Sequence, residues 1–347
     1  MNMIMMNNKI LMNKNMNFML YFMLCLGTII TINSSSWLSA WMGLEMNMMS
    51  FIPLMMNNKT YLKSSNSMMM YFIIQSISSS IMIMSMMNMK MMMNLKLFME
   101  STMMMSLMMK IGAAPFYWWM PKIMNNLNWM NCMILMTWQK IAPIMLMLQI
   151  NTTKSLVYLS ALLSTLIGSI MSLNQNSLKM IMSYSSINHV GWIMLSMLMN
   201  LKLMMTYFLF YSIINLIICL NLNKYNIIYT NQLFKINNNK MYKLIMNSLF
   251  LSLGGIPPFM GFLPKLLIMI IMIKNNMIIE ASIMIILAVI LVSVYMNPFI
   301  SSLLTNKMNI KWMFKINKSM MSYKLNFYTF NLMMMLMLSM WIMSKMI

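Results

Sequence analysis

Aspartate and arginine are absent from this 347-residue sequence, and it holds only three glutamates, one histidine and three cysteines. Cys25, Cys132 and Cys219 stand far apart inside apolar stretches, with no CxxC or Cys/His spacing, so a metal or cluster site built on cysteine is excluded. There is no GxGxxG following a strand and no P-loop, which excludes the usual means of holding a nucleotide or flavin in this chain. Glycine and proline number eight each. Where they cluster, at Gly112 to Pro115 and Gly254 to Pro258, they stand out as interruptions.

What is present is apolar. Hydrophobic residues make up 61% of the sequence and charged residues 8%. The runs far exceed a buried strand or an ordinary core helix, which makes this an all-α polytopic membrane protein. The formal charge of +21 is carried by lysines spread through the connections, not gathered on one face, so nucleic acid is not a partner. Sixty-five methionines, with an excess of other residues whose codons are rich in A and T, are what a mitochondrial genome reading ATA as methionine would produce. Methionine packs as a flexible hydrophobe, and runs such as Met103 to Met105 read as lipid or core contacts, not metal ligands.

At about 20 residues per crossing, spans are expected at 16–33, 37–56, 68–89, 97–118, 128–149, 155–173, 178–199, 203–222, 243–273, 277–299 and 325–344, about eleven transmembrane helices. The segment 18–30 mimics a signal peptide but lacks a convincing cleavage site, and is read as a retained first helix. The fourth and ninth spans contain the two Gly/Pro stretches and are expected to be broken helices. Lying five spans apart, they cross in opposite directions, the arrangement of two inverted five-helix repeats. Repeat one would cover 16–150 and repeat two 155–299, with a C-terminal helix at 325–344 completing one antiporter-like domain over 1–347. Fifteen lysines fall on the N-terminal side of the membrane and six on the other, which puts the N-terminus inside and the C-terminus opposite. The two longest connections, 223–242 and 300–324, read as solvated loops.

Four charges interrupt the spans: Glu45, Lys110, Lys140 and Lys265. An ionised side chain at the centre of a spanning helix costs roughly 2.5 to 3.5 kcal/mol on insertion scales. Burial disfavours the charged form and a nearby opposite charge favours it, a competition that leaves a group poised to exchange a proton. The default reading is therefore an ion pathway. The competing readings are a structural hydrogen bond for Glu45 and snorkelling to the interface for the lysines. His189, in the hydroxyl-rich stretch Ser183 to His189, is the weakest candidate, either a relay beside ordered water or a packed core residue. Glu100 and Glu280 lie near span ends and read as interfacial.

Trp37 to Met48, Met109 to Phe116, Thr137 to Pro143, Lys179 to Trp192 and Leu251 to Pro258 resemble, in order and over nearly the whole chain, the mitochondrial NADH-ubiquinone oxidoreductase chain 2 family, antiporter-like membrane subunits of respiratory complex I. The resemblance implies a subunit of a proton-translocating NADH:ubiquinone reductase, with NADH, FMN, iron-sulfur clusters and ubiquinone held by partner subunits and no cofactor in this chain. It implies neighbouring complex I membrane subunits, antiporter-like ones among them, and membrane lipids such as cardiolipin as partners. It also implies the mitochondrial inner membrane, with the N-terminus in the matrix and the C-terminus in the intermembrane space. Glu45 and Lys110 would form the switching pair, Lys140 the central relay, and Lys265 the step toward the exit or a neighbouring subunit. Tyr117 and Lys122 depart from the histidine and acidic residue that many relatives carry there, and no role is transferred to them. A free-standing cation/proton antiporter would use the same fold and charges, and a structural or assembly factor is the third class.

Overall fold

The computed structural model of the protein describes residues 2–56, 61–91, 96–150, 154–235, 240–257 and 259–307. Among these residues the fold is helical, without a strand: α1 (Asn2–Ile32), α2 (Trp37–Met55), α3 (Tyr61–Met91), α4 (Lys96–Ile111), α5 (Trp119–Asn126), α6 (Trp129–Met136), α7 (Trp138–Met147), α8 (Lys154–Ser172), α9 (Leu178–Met199), α10 (Leu201–Tyr225), α11 (Thr230–Lys235), α12 (Lys240–Gly254), α13 (Phe262–Lys274) and α14 (Ile278–Lys307). Four described stretches are long and apolar enough to cross a membrane by length and composition: Ser64–Met89, Lys154–Ser172, Leu201–Tyr225 and Ile278–Asn297. Met16–Ile32 and Ile245–Gly254 are shorter apolar helices. The expected span at 325–344 lies outside the described residues, as does most of the expected connection 300–324.

The chain divides into two compact units, residues 1–157 and 158–347. In the first, α1 lies along α2, α3 packs on α4 and α5, and α7 packs on α4. The α1–α2 crossing is close because glycines face each other. A Cβ at Gly43 would lie 2.6 Å from Thr31 Cγ2 and 2.8 Å from the Gly27 carbonyl oxygen, and one at Gly27 would lie 2.9 Å from the Gly43 oxygen. Without water's hydrophobic drive between helices in lipid, such backbone approach is what holds spans together.

In the second unit α9 packs against α10 and α13, and α12 against α14 and α10. Helix α9 is buried on nearly every face, which places its polar stretch Ser183–His189 inside the unit. Gly168 on α8 and Gly191 on α9 make another close crossing: a Cβ at Gly168 would lie 2.7 Å from the Asn188 nitrogen, and one at Gly191 would meet Thr165.

Two helices end in the same way. At the close of α4, Gly112 has φ +76° and donates to Met109 O at 3.3 Å, while Ala113 N–H donates to Met108 O at 3.1 Å. At the close of α12, Gly255 has φ +80° and donates to Ser252 O at 3.1 Å, while Ile256 N–H donates to Leu251 O at 3.4 Å. Both are Schellman caps, in which glycine takes the left-handed position that a side chain resists. A turn then closes at Phe116 N to Ala113 O and at Phe259 N to Ile256 O, each 2.8 Å, before α5 and α13 begin.

One interruption was not expected. The stretch 128–149 is two helices, α6 and α7, hinged at Thr137 with φ −113° and ψ −71°. The Thr137 hydroxyl donates to the Met133 carbonyl at 2.7 Å, the back-bonding that bends helices. Two short helices also occupy stretches read as connections: α5 after the first break, and α11 within 223–242.

Candidate functional site

In the first unit the three charged positions lie on α2, α4 and α7, and α7 packs against the other two. Lys110 is in the last turn of α4 and is 7% exposed, and Lys140, in the first turn of α7, is 1% exposed. Glu45 on α2 is half-buried and close enough for its charge to act on both Lys110 and Tyr71. Its Oε1 is sealed from solvent and has no hydrogen-bond partner. A buried carboxylate oxygen left this way is uncommon in native structures and calls for a functional explanation.

Beside Lys110 is a polar cavity with room for about one water, lined by Asn47, Tyr71, Gln75, Lys110 and Gln139 with Leu44, Met48 and Pro143. The Tyr71 hydroxyl donates to Gln139 Oε1 at 3.3 Å, and Gln139 Nε2 donates to Asn47 Oδ1 at 3.1 Å. Gln75 Nε2 donates to the Lys110 carbonyl at 3.3 Å, capping one of the orphan carbonyls at the end of α4. Tyr71 and Gln75 had not been singled out from the sequence. The signal was there as a tyrosine and a glutamine four apart, hence on one helix face, in a span whose other polar residues before Asn88 are serines.

In the second unit Lys265 is 3% exposed. Its Nζ donates to the carbonyls of Leu253 at 3.1 Å and Gly254 at 2.9 Å, and sits 5.9 Å from the centroid of a Trp192 ring. The ammonium thus closes the C-terminus of α12, where helix carbonyls lack partners and the dipole favours a cation. Ten residues past the glycine of each break stands a lysine after a proline, Pro121–Lys122 and Pro264–Lys265, yet their fates differ. Lys122 is exposed, 5.5 Å from a Trp118 ring. At the first break Trp119 Nε1 donates to Met109 O at 3.2 Å and Gln75 serves the Lys110 carbonyl. Phe262 occupies the matching position at the second break and has no donor to offer, so the carbonyls there fall to Lys265.

His189 is 4% exposed, and its Nδ1 lies 2.8 Å from the Tyr207 hydroxyl. The Tyr211 ring is 5.0 Å away, centroid to centroid. The hydroxyls of Ser183, Ser185 and Ser186 donate to carbonyls one turn back in α9, at 2.7, 2.8 and 2.7 Å. Tyr207 of α10, not read as a candidate from the sequence, therefore supplies a polar contact at the ring nitrogen. Glu280 lies in the first turn of α14, where a helix N-terminus favours an acid.

Two glycine-terminated helix breaks, each with a buried lysine nearby, mark a membrane protein that holds ionisable groups inside its spans. The NADH:quinone oxidoreductase/Mrp antiporter transmembrane family model matches residues 34–291. Among curated relatives, the NADH-ubiquinone oxidoreductase chain 2 of Anopheles gambiae is 41% identical over 312 residues, 88% of this chain and 91% of that protein. Its counterpart in Aedes aegypti is 43% identical over 308 residues, covering 87% and 90%. In fold, the chain is similar to a chain of respiratory complex I from Thermus thermophilus, with a TM-score of 0.77 at 18% identity over 93% of this chain and 78% of that one. It is also similar to a chain of the Mrp complex from a Dietzia species, with a TM-score of 0.75 at 14% identity; the alignment covers 81% of this chain and spans 59% of that one. The chain is a multi-pass membrane protein and belongs to the NADH-ubiquinone oxidoreductase chain 2 family.

Proposed function

We propose that this chain is a membrane-arm subunit of respiratory complex I that takes part in proton translocation coupled to electron transfer from NADH to ubiquinone. The observation that carries the reading is Lys110, buried at a helix break, with a water-sized polar cavity on one side and the charge of Glu45 acting on it. Glu45 and Lys110 are the switching pair: with the carboxylate near, the ammonium is held, and when the pair separates its proton leaves for Lys140. His189 and Lys265 serve the second half of the chain, Lys265 handing protons toward the exit or a neighbouring subunit. The energy arrives from partner subunits that carry the nucleotide, FMN, the iron-sulfur clusters and the quinone; this chain contributes no redox centre.

The arrangement we infer is about eleven transmembrane helices in two inverted five-helix repeats, 16–150 and 155–299, with the fourth and ninth broken and a last helix at 325–344. The chain resides in the mitochondrial inner membrane, N-terminus in the matrix and C-terminus in the intermembrane space. It sits beside other antiporter-like subunits and lipids such as cardiolipin. The close identity to chain 2 relatives over most of their length supports the subunit over a free-standing antiporter.

The test is proton translocation by the assembled complex in sealed membrane vesicles carrying Glu45→Gln or Lys140→Met. Both variants are expected to assemble and to move fewer protons per NADH oxidised. Parental pumping by both would remove these residues from the mechanism.

A further inference from the structure

Helix α5 has a buried face and an exposed one. Trp119, Met120, Pro121, Ile123 and Met124 are buried, in the helix that packs on α3. Trp118, Lys122 and Asn125, spaced four and three apart and so on one helical face, are exposed, with 47% of Trp118 uncovered. The Lys122 Nζ lies 5.5 Å from the centroid of a Trp118 ring, and among the described residues no carboxylate pairs with it. The sequence offers few: no acidic residue stands between Glu100 and Glu280, and Glu45 acts on Lys110 and Tyr71. Lys265, the lysine in the same setting past the second break, directs its hydrogens to helix carbonyls. At the first break Trp119 and Gln75 already serve those carbonyls, which leaves Lys122 facing outward with its charge unmatched.

An exposed cation on a chain surrounded by lipid needs an anion or water beside it. Asn125 and Asn128 are exposed as well, and amides in hydrocarbon would lack partners, so this face belongs at headgroup depth, where indoles and lysines gather. We propose that Trp118 and Lys122 form a binding site for one anionic phospholipid, the ammonium pairing with a phosphate oxygen and the indole covering the first carbons of an acyl chain. The proposal rests on the membrane setting and lipid partner inferred above and gives that lipid a place on this chain. The order of the two residues favours a phospholipid over a carboxylate of a neighbouring protein. Helix α5 runs from the break toward the connection, so Trp118 is the deeper and Lys122 the nearer to water, the same sequence of apolar then charged that a phospholipid presents. Trp119, next to Trp118, holds the end of α4 through Met109, so a lipid seated here steadies the segment that closes the first break.

The experiment places the assembled complex in phosphatidylcholine nanodiscs doped with a probe lipid that carries a diazirine at the start of one acyl chain. The probe is a phosphatidylglycerol in one arm and a phosphatidylcholine in the other, and labelled peptides are located by mass spectrometry after illumination. The glycerol probe is expected to label α5 more than the choline probe does. Lys122→Gln is expected to lower that labelling about fivefold, the factor that corresponds to about 1 kcal/mol for one lysine near an anionic surface. Lys122→Arg should retain it and Trp118→Leu should lower it, with parental assembly of the Lys122 variants on native gels. Equal labelling by the two probes would mean boundary lipid only, and unchanged labelling in Lys122→Gln would mean that the lysine recognises no headgroup; either overturns the site. A carbodiimide cross-link from Lys122 to a carboxylate of a neighbouring subunit overturns it as well, because the occupant is then protein. Glycerol-probe labelling elsewhere on the chain but not on α5 removes this site and leaves the lipid partner standing, whereas no labelling of the chain by either probe removes both. Should Trp118→Leu not assemble, the two Lys122 variants decide the question.

Discussion

The ammonium of Lys265 donates to the carbonyl oxygen of Gly254 at 2.9 Å, so the side chain proposed to carry protons in the second unit also closes the end of a broken helix. With the second bond to Leu253 at 3.1 Å, it satisfies two carbonyls that have no amide partner. The two roles are linked, since a lysine that gives up its proton keeps fewer hydrogens with which to hold the helix end.

Replacing Lys265 by methionine removes both bonds and leaves the carbonyls buried. A hydrogen bond to a charged group contributes about 1.5 to 3 kcal/mol. Lys265→Met is therefore expected to lower the thermal stability of the purified complex as well as its proton translocation, read by the temperature of half-inactivation and by vesicle pumping. Unchanged heat resistance would mean that Lys265 does not hold the helix end.

Neighbouring glycines should respond oppositely to alanine. Gly255 has φ +80°, and a Cβ there would press on Lys265 Cδ at 3.0 Å and Nζ at 3.2 Å; the left-handed backbone alone costs about 1 to 2 kcal/mol. Gly254 ends a helix and a Cβ there finds ordinary contacts at 3.4 Å. Gly255→Ala is expected to reduce assembled complex on native gels, and Gly254→Ala to leave it at the parental level.

The close crossing of α1 and α2 predicts sensitivity at Gly43. Valine there must push α2 off Thr31 and Gly27, and overpacking of this kind costs about 1 to 3 kcal/mol. Because Glu45 is two residues along, the displacement also moves the carboxylate. Gly43→Val is expected to lower both assembly and protons per NADH in the complex that does form, measured on the same preparation.

Tyr207 faces His189 Nδ1 at 2.8 Å. Which nitrogen of a neutral imidazole carries the proton is set by such a partner, and Tyr207→Phe releases that choice while preserving the ring. If His189 is a relay, Tyr207→Phe lowers proton translocation in the same direction as His189→Ala. A packing role predicts no change, because the phenylalanine ring fills nearly the same space.

Much of the fold is legible in the sequence because the membrane imposes a length on every apolar run. The stretch 178–199 is α9 to the residue, and 37–56 is α2 within one residue. Gly112 and Gly255 mark the ends of α4 and α12, since few other residues accept that backbone. The hinge at Thr137 was not legible, because a threonine inside an apolar run reads as a tolerated polar residue until its hydroxyl is seen bonded one turn back. Short α5 and α11 escaped for a related reason: amphipathic helices of six or eight residues carry too little periodicity to stand out from a connection.

The sequence by itself determined which side chains are costly to bury: Glu45, Lys110, Lys140, Lys265 and His189 stand out because few other acidic or basic side chains lie deep within the apolar runs. Tertiary structure alone decided what those side chains meet. Lys122 and Lys265 share their local sequence setting, yet one is exposed over Trp118 and the other is buried as a helix cap. Likewise the polar cluster of Tyr71, Gln75, Gln139 and Asn47 is drawn from three helices. Hydrophobic periodicity fixes which face of a helix turns inward, but the partner across that face is set by how helices distant in sequence cross, and that is where hydrogen bonds to buried charges are made.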